Sequence, residues 1–183
     1  GLFPHLSSAG PDGTPSLVER VGGRARIEYI RNSVAMRFGP TLSPLNAFLI
    51  NQGIETLSLR VERQSENALG VARWLEAQVE VQSVDYSGLE SNPFHPMALR
   101  YLPAGQGSVF SFTLRGGLDA ARVFVNSLQT FTHMTHLGDV RSLILHPASS
   151  SHMLRTDEQR ARAGIWPGTL RLSIGTENLP DLI

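Results

Sequence analysis

The ten residues Gly168–Glu177, Gly-Thr-Leu-Arg-Leu-Ser-Ile-Gly-Thr-Glu, constrain the fold more than any other stretch. Leu170, Leu172 and Ile174 alternate with Arg171 and Ser173, the two-residue period of a strand with one buried face. A chain containing such a strand must build a sheet and cover one side of it. Arg171 falls mid-strand on the other side. A guanidinium there needs an anion, and its planar fork suits a carboxylate held by two bonds. That anion is an internal Asp or Glu by default, or else the carboxylate of a small molecule.

The 183 residues suffice for one domain, or for one domain and a piece of another. A hydrophobic content of 41% against 17% charged residues is that of an ordinary globular protein. The formal net charge is zero, with no basic tract or acidic tail, which argues against a nucleic-acid partner. No apolar run is long enough to span a membrane, and no signal peptide is visible. There are no cysteines, which excludes disulfides, thiolate metal sites and a Cys nucleophile and suits a cytoplasmic location. All 16 basic residues are arginines. Without lysine, the chain has no side-chain amine for covalent catalysis on a carbonyl. It starts on Gly1 and closes at Ile183 just after a helix-like start, so it is expected to be a fragment or processed piece of a larger protein.

Along the chain, residues 1–16 are rich in Gly, Pro and Ser and read as loop. Residues 17–38 are helical but uneven, with Gly22-Gly23 weakening the middle and Arg20, Arg24, Arg26, Arg31 and Arg37 on a solvated basic face. Ser43 can cap a helix whose first turn takes Pro44. That helical pattern runs to about Gln78, roughly 50 Å if unbroken, with Gly53 and Gly70 as points for a kink. We take its start as a domain boundary, with a leftover piece at 1–42 and the main domain at 43–183. Strands follow at 79–86, 107–115 and 142–145, helices at 95–102 and 118–128, and a Thr156–Gln159 capping box opens another helix. The chain closes with the Arg171 strand and a helix start at 176–183. This order gives an α+β fold, a long linking helix plus a small, mostly antiparallel sheet with helices on one face.

Few side chains suggest chemistry by spacing alone. His133 and His136 are three apart, but no carboxylate or Cys joins them at metal-ligand spacing. Ser149–Ser151 and His152 are the residue types of nucleophilic catalysis, without an elbow motif or an orienting acid. His146-Pro147-Ala148-Ser149 reads as a structural loop after a strand.

Several stretches together resemble one family: Leu42–Leu59, Glu66-Asn67-Ala68, Leu137-Gly138-Asp139, Leu143–Ser149 and Leu170–Gly175. They are similar to the C-terminal part of the Cys/Met-metabolism family of pyridoxal-phosphate enzymes, which have the aspartate-aminotransferase-like fold, fold type I. Tyr101-Leu102-Pro103 before Phe110-Ser111-Phe112, and Phe131-Thr132-His133 running into Leu137-Gly138-Asp139, have the form of its O-acetylhomoserine sulfhydrylase branch. The similarity covers residues 17–183. It implies that residues 1–42 end the large cofactor-binding domain, and that 43–183 are the linking helix and C-terminal substrate-clamp domain.

The resemblance also implies roles. Arg171 would clamp the α-carboxylate of an amino-acid substrate. Thr135 and His136 would lie where the family offers backbone or small polar contacts to that carboxylate, although His136 replaces the serine usual in the lyase and cystathionine-synthase branches. Pyridoxal 5'-phosphate would be held mainly by a missing N-terminal part, which carries the lysine and would be this chain's partner in a homo-oligomer, a tetramer by resemblance. The implied activity is homocysteine synthesis from O-acetylhomoserine and sulfide in methionine biosynthesis, with this chain inactive alone. The alternatives are the same part of a cystathionine γ-synthase or γ-lyase, or a stand-alone, non-catalytic amino-acid-binding or oligomerisation domain.

Overall fold

The computed structural model describes residues 3–183; Gly1 and Leu2, at the head of the expected loop, lie outside the described residues. The chain divides into two compact units, Gly1–Gln52 and Gly53–Ile183. The first is helical: α1 (Pro4–Ser7), α2 (Leu17–Val21), α3 (Ala25–Tyr29) and α4 (Met36–Phe38). A 3-10 turn at Gly22–Arg24 separates α2 from α3, and a π-helical stretch at Ile30–Ala35 joins α3 to α4. The uneven helix expected over 17–38 therefore resolves into short pieces. Ser16 and Glu19 form a reciprocal capping box at the start of α2.

The long helical pattern is broken once. Helix α5 (Pro44–Glu55) ends before Thr56, and α6 (Leu57–Glu76) starts directly after it. The Ser43 hydroxyl accepts from the Asn46 N–H, as the sequence predicts. The break falls at Thr56 rather than at either glycine, and Arg60 reaches back to the Gly53 carbonyl. Gly70 stays helical and lets Leu179 pack close against the helix: a Cβ there would meet a Leu179 methyl at 2.5 Å.

Helix α6 buries Gln64, Asn67, Ala68, Val71, Ala72 and Leu75, a stripe at helical spacing. The sheet below it contains β1 (Val81–Asp85), β2 (Val109–Leu114), β3 (Thr132–His133), β4 (Leu143–Leu145) and β5 (Thr169–Ser173). Its order is β1-β2-β5-β4-β3, antiparallel except for the β3–β4 pair. The mostly antiparallel α+β architecture is as expected. Two details differ. Strand β3 lies where a loop is expected, because two residues are too few to show a period. The closing helix is only a 3-10 turn at Leu179–Asp181, with Pro180 inside it.

The remaining helices are α7 (His95–Tyr101), α8 (Gly117–Ser127) and α9 (Asp157–Arg162). The predicted Thr156–Gln159 capping box opens α9. One face of the sheet presents Phe110, Phe112, Leu114, Ile144, Leu170, Leu172 and Ile174 to α6 and α8, and all seven are buried. The register places Ser111, Thr113, Thr169, Arg171 and Ser173 on the opposite face.

Candidate carboxylate site

The site is the polar face of β5. Its floor follows from strand pairing. Asp85 stands opposite Ser111, Ser111 opposite Arg171, and Arg171 opposite Leu145, so the four form one row across the sheet. Directly paired residues point to the same side. Leu145 is buried at one end of the row and Asp85 is exposed at the other.

Arg171 is half-buried. Its Nη2 donates to the carbonyl oxygens of Thr135 and His136, each at 3.1 Å. Its Nε is buried and has no partner among the described residues. Nη1 likewise donates to no described residue. The internal acid expected by default is absent, since among the described residues no carboxylate pairs with this guanidinium. Arg171 thus holds its own loop with Nη2 and leaves Nε and Nη1, which lie on different edges of the guanidinium, without a partner among the described residues. An orphaned buried N–H costs about 1–3 kcal/mol, and a ligand oxygen accepting from Nε would remove the cost.

Thr135 and His136 come together with Arg171, but through their backbone. A carbonyl oxygen only accepts, so these groups orient the guanidinium and give a carboxylate no donor. The loop that carries them, 134–140, is tied down along its length. Gly138 N–H donates to Ser173 Oγ at 2.9 Å. The Asp139 carbonyl accepts from Gln64 Nε2 at 2.8 Å, and the Val140 carbonyl from the Thr176 N–H at 2.8 Å. Arg141 binds the Asp139 carboxylate at 3.1 Å, and its hydrogen bonds hold that carboxyl below the usual range. Asn67 on α6 donates to the carbonyls of Gly175 and Glu177, and the Glu177 carboxylate accepts from both the N–H and the hydroxyl of Ser142. These ties were not found from sequence, although the alternation that exposed Arg171 puts Ser173 on the same face.

A cleft of about 390 Å³ opens beside Arg171, lined also by Asp85, Ser111, His152, Ile165 and Thr169. Thr169 is fixed from two sides: its hydroxyl accepts from the Trp166 N–H and lies 2.9 Å from that of Thr113. Across β1, Tyr86 donates to the Gly107 carbonyl at 2.8 Å, and burial pushes its hydroxyl up to about 12.

The histidines divide. His146 is buried, donates from Nε2 to the Pro167 carbonyl, and accepts at Nδ1 from the Ser149 N–H, so it is a structural cap. His152 contacts Ser151 at the cleft edge. His133 lies in β3 and His136 in the loop after it. Among the described residues no group of three or more His, Asp or Glu side chains is placed to hold a metal, and no helix is long and apolar enough to cross a membrane.

Comparison with known proteins adds an independent line. A family profile described as Cys/Met metabolism PLP-dependent enzyme matches residues 21–183. The chain is 40% identical over 159 residues to O-acetyl-L-homoserine sulfhydrylase 1 of Thermus thermophilus, covering 87% of this chain and 37% of that protein. It is 45% identical over 144 residues to O-succinylhomoserine sulfhydrylase of Pseudomonas aeruginosa, covering 79% and 36%. Among solved structures, an O-acetylhomoserine (thiol)-lyase from Campylobacter jejuni carrying N'-pyridoxyl-lysine-5'-monophosphate is similar at a TM-score of 0.80 and 34% identity, covering 98% of this chain and 43% of that one. The chain spans well under half the length of these relatives.

Proposed function

The chain belongs to the Cys/Met metabolism family of pyridoxal-phosphate-dependent enzymes, and we propose that it is the carboxylate-binding portion of a transferase that makes homocysteine from O-acetylhomoserine and sulfide. The observation that carries this reading is the guanidinium of Arg171. Arg171 lines a cleft, and its guanidinium has no internal acid among the described residues and keeps an unused Nε. The α-carboxylate of an amino-acid substrate has the charge to pair with this guanidinium and an acceptor oxygen for its unused Nε–H. Thr135 and His136 act one step back, since their carbonyls fix the plane of the guanidinium.

The residues of this chain do not form a seat for the aldehyde of the cofactor, because there is no lysine amine. In such enzymes the electron sink is the cofactor's contribution. The share of this chain is to bind and orient the substrate. By itself it is inactive in the transferase reaction, and its partner is the lysine-bearing remainder of the enzyme.

Arg171→Lys tests this in the complete enzyme. A lysine keeps the charge but presents a point in place of a fork. The KM for O-acetylhomoserine is expected to rise about 10- to 100-fold, the range of one or two lost charged hydrogen bonds. An unchanged KM would remove Arg171 from substrate binding. Supplying cysteine in place of sulfide, and assaying cystathionine, separates the proposed reaction from that of a cystathionine γ-synthase.

A further inference from the structure

Family membership leaves open which acyl ester of homoserine the cleft prefers, since relatives named for an acetyl and for a succinyl ester are similar to this chain at 40% and 45% identity. The row across the sheet bears on this choice. Asp85 and Arg171 line the same cleft and lie two strands apart on the same face, with Ser111 between them. Two strand spacings put their Cα atoms about 10 Å apart. The Asp85 Oδ1 atom accepts from Asn92 Nδ2 at 3.1 Å, which steadies the side chain without neutralising it. Neither Arg nor Lys lines the cleft apart from Arg171 itself. The cleft therefore has a cation at one end and an anion at the other.

An O-succinyl ester of homoserine has its two carboxylate carbons separated by eight bonds, roughly 10 Å in an extended zigzag of bonds near 1.5 Å. With its α-carboxylate on Arg171, whose guanidinium leans toward Thr135 and His136 on the far side of β5, a succinyl chain extended over Ser111 directs its second carboxylate toward Asp85 and ends a few ångströms short of it. An O-acetyl ester ends two carbons earlier in an uncharged methyl. We propose that Asp85 is a specificity-determining residue of this cleft, selecting substrates with an uncharged far end over those with a second carboxylate. The proposal rests on the reading of Arg171 as the carboxylate clamp. Two carboxylates about 5 Å apart in a water-like medium repel enough to change affinity roughly fourfold, and more where water is partly excluded.

The test is steady-state kinetics of the complete enzyme with O-acetyl-L-homoserine and, separately, O-succinyl-L-homoserine, with a thermal melt on each variant to verify folding. The wild-type enzyme is expected to favour the acetyl ester about fourfold or more in kcat/KM. Asp85→Asn should bring that ratio close to one, chiefly by lowering the KM for the succinyl ester. Arg171→Gln should raise the KM for both esters together. Asp85→Ser serves if the asparagine variant does not fold. A preference that survives removal of the Asp85 charge, or a wild-type enzyme that does not favour the acetyl ester, with Arg171→Gln still raising both KM values, overturns the role of Asp85 and leaves the clamp standing. KM values indifferent to Arg171→Gln overturn the clamp and this proposal with it.

Discussion

The two faces of β5 are built on different principles. On one, Leu170 and Leu172 are at most 3% exposed and belong to an apolar cluster with residues of α6, α8 and the adjoining strands. Shape and volume are what matter there. On the other, Thr169, Arg171 and Ser173 are each committed to a named hydrogen-bond partner in a loop or neighbouring strand. Direction and chemistry are what matter there. Among the described residues, the apolar face has no buried side-chain nitrogen or oxygen without a partner. The polar face leaves one buried N–H over, on Arg171. In this molecule the candidate site is the remainder after the fold has met its own demands.

Substitutions of graded size can break or sharpen that contrast. The largest effect should come from the apolar face. Phe112 is 1% exposed and packs edge-on against Phe124, with ring centroids 5.7 Å apart. Phe112→Ala should cost about 3–5 kcal/mol in urea unfolding. A loss below 1 kcal/mol would mean that this face is not close-packed. An intermediate effect is expected where the loop ties meet the end of β5. A Cβ on Gly175 would sit 2.3 Å from the Val140 carbonyl oxygen, which is backbone and cannot swing aside. Gly175→Ala should cost about 1–3 kcal/mol by the same measurement, and a neutral result would show that the 140–141 segment is loosely held. The smallest effect belongs to the polar face. Ser173→Ala removes the acceptor of the Gly138 N–H and should cost about 1 kcal/mol. If it were as damaging as Phe112→Ala, the two faces would not differ in kind.

Much of this was legible in the sequence. The alternation of Leu170, Leu172 and Ile174 around Arg171 located β5 and the side on which its cation stands. The capping pairs at Ser43 and at Thr156–Gln159 marked helix starts because a cap is a local bond over three residues. What escaped depends on distant pairing. Strand β3 is two residues long and exists through its parallel partner β4. The break at Thr56 carries no Gly or Pro. The partners of Arg171 are carbonyls 35 and 36 positions away in sequence, and backbone groups are the same in every residue, so no side-chain pattern announces them. Asp85 was invisible as a site residue because its place beside Arg171 arises only from register across two strand pairs.

Helix α6 has one more consequence. Gln64 and Asn67 are three residues apart, and they grip backbone on two separate segments, the first at Asp139 and the second at Gly175 and Glu177. Each residue of an α-helix turns the next side chain by about 100°. The helix therefore acts like a key with two teeth: its rotational setting is read by both segments at once. For anyone grafting, splitting or fusing this chain, the segment before Gln64 is the place to add or remove length. A single residue inserted between the two teeth would turn one of them out of its lock while leaving the helix intact.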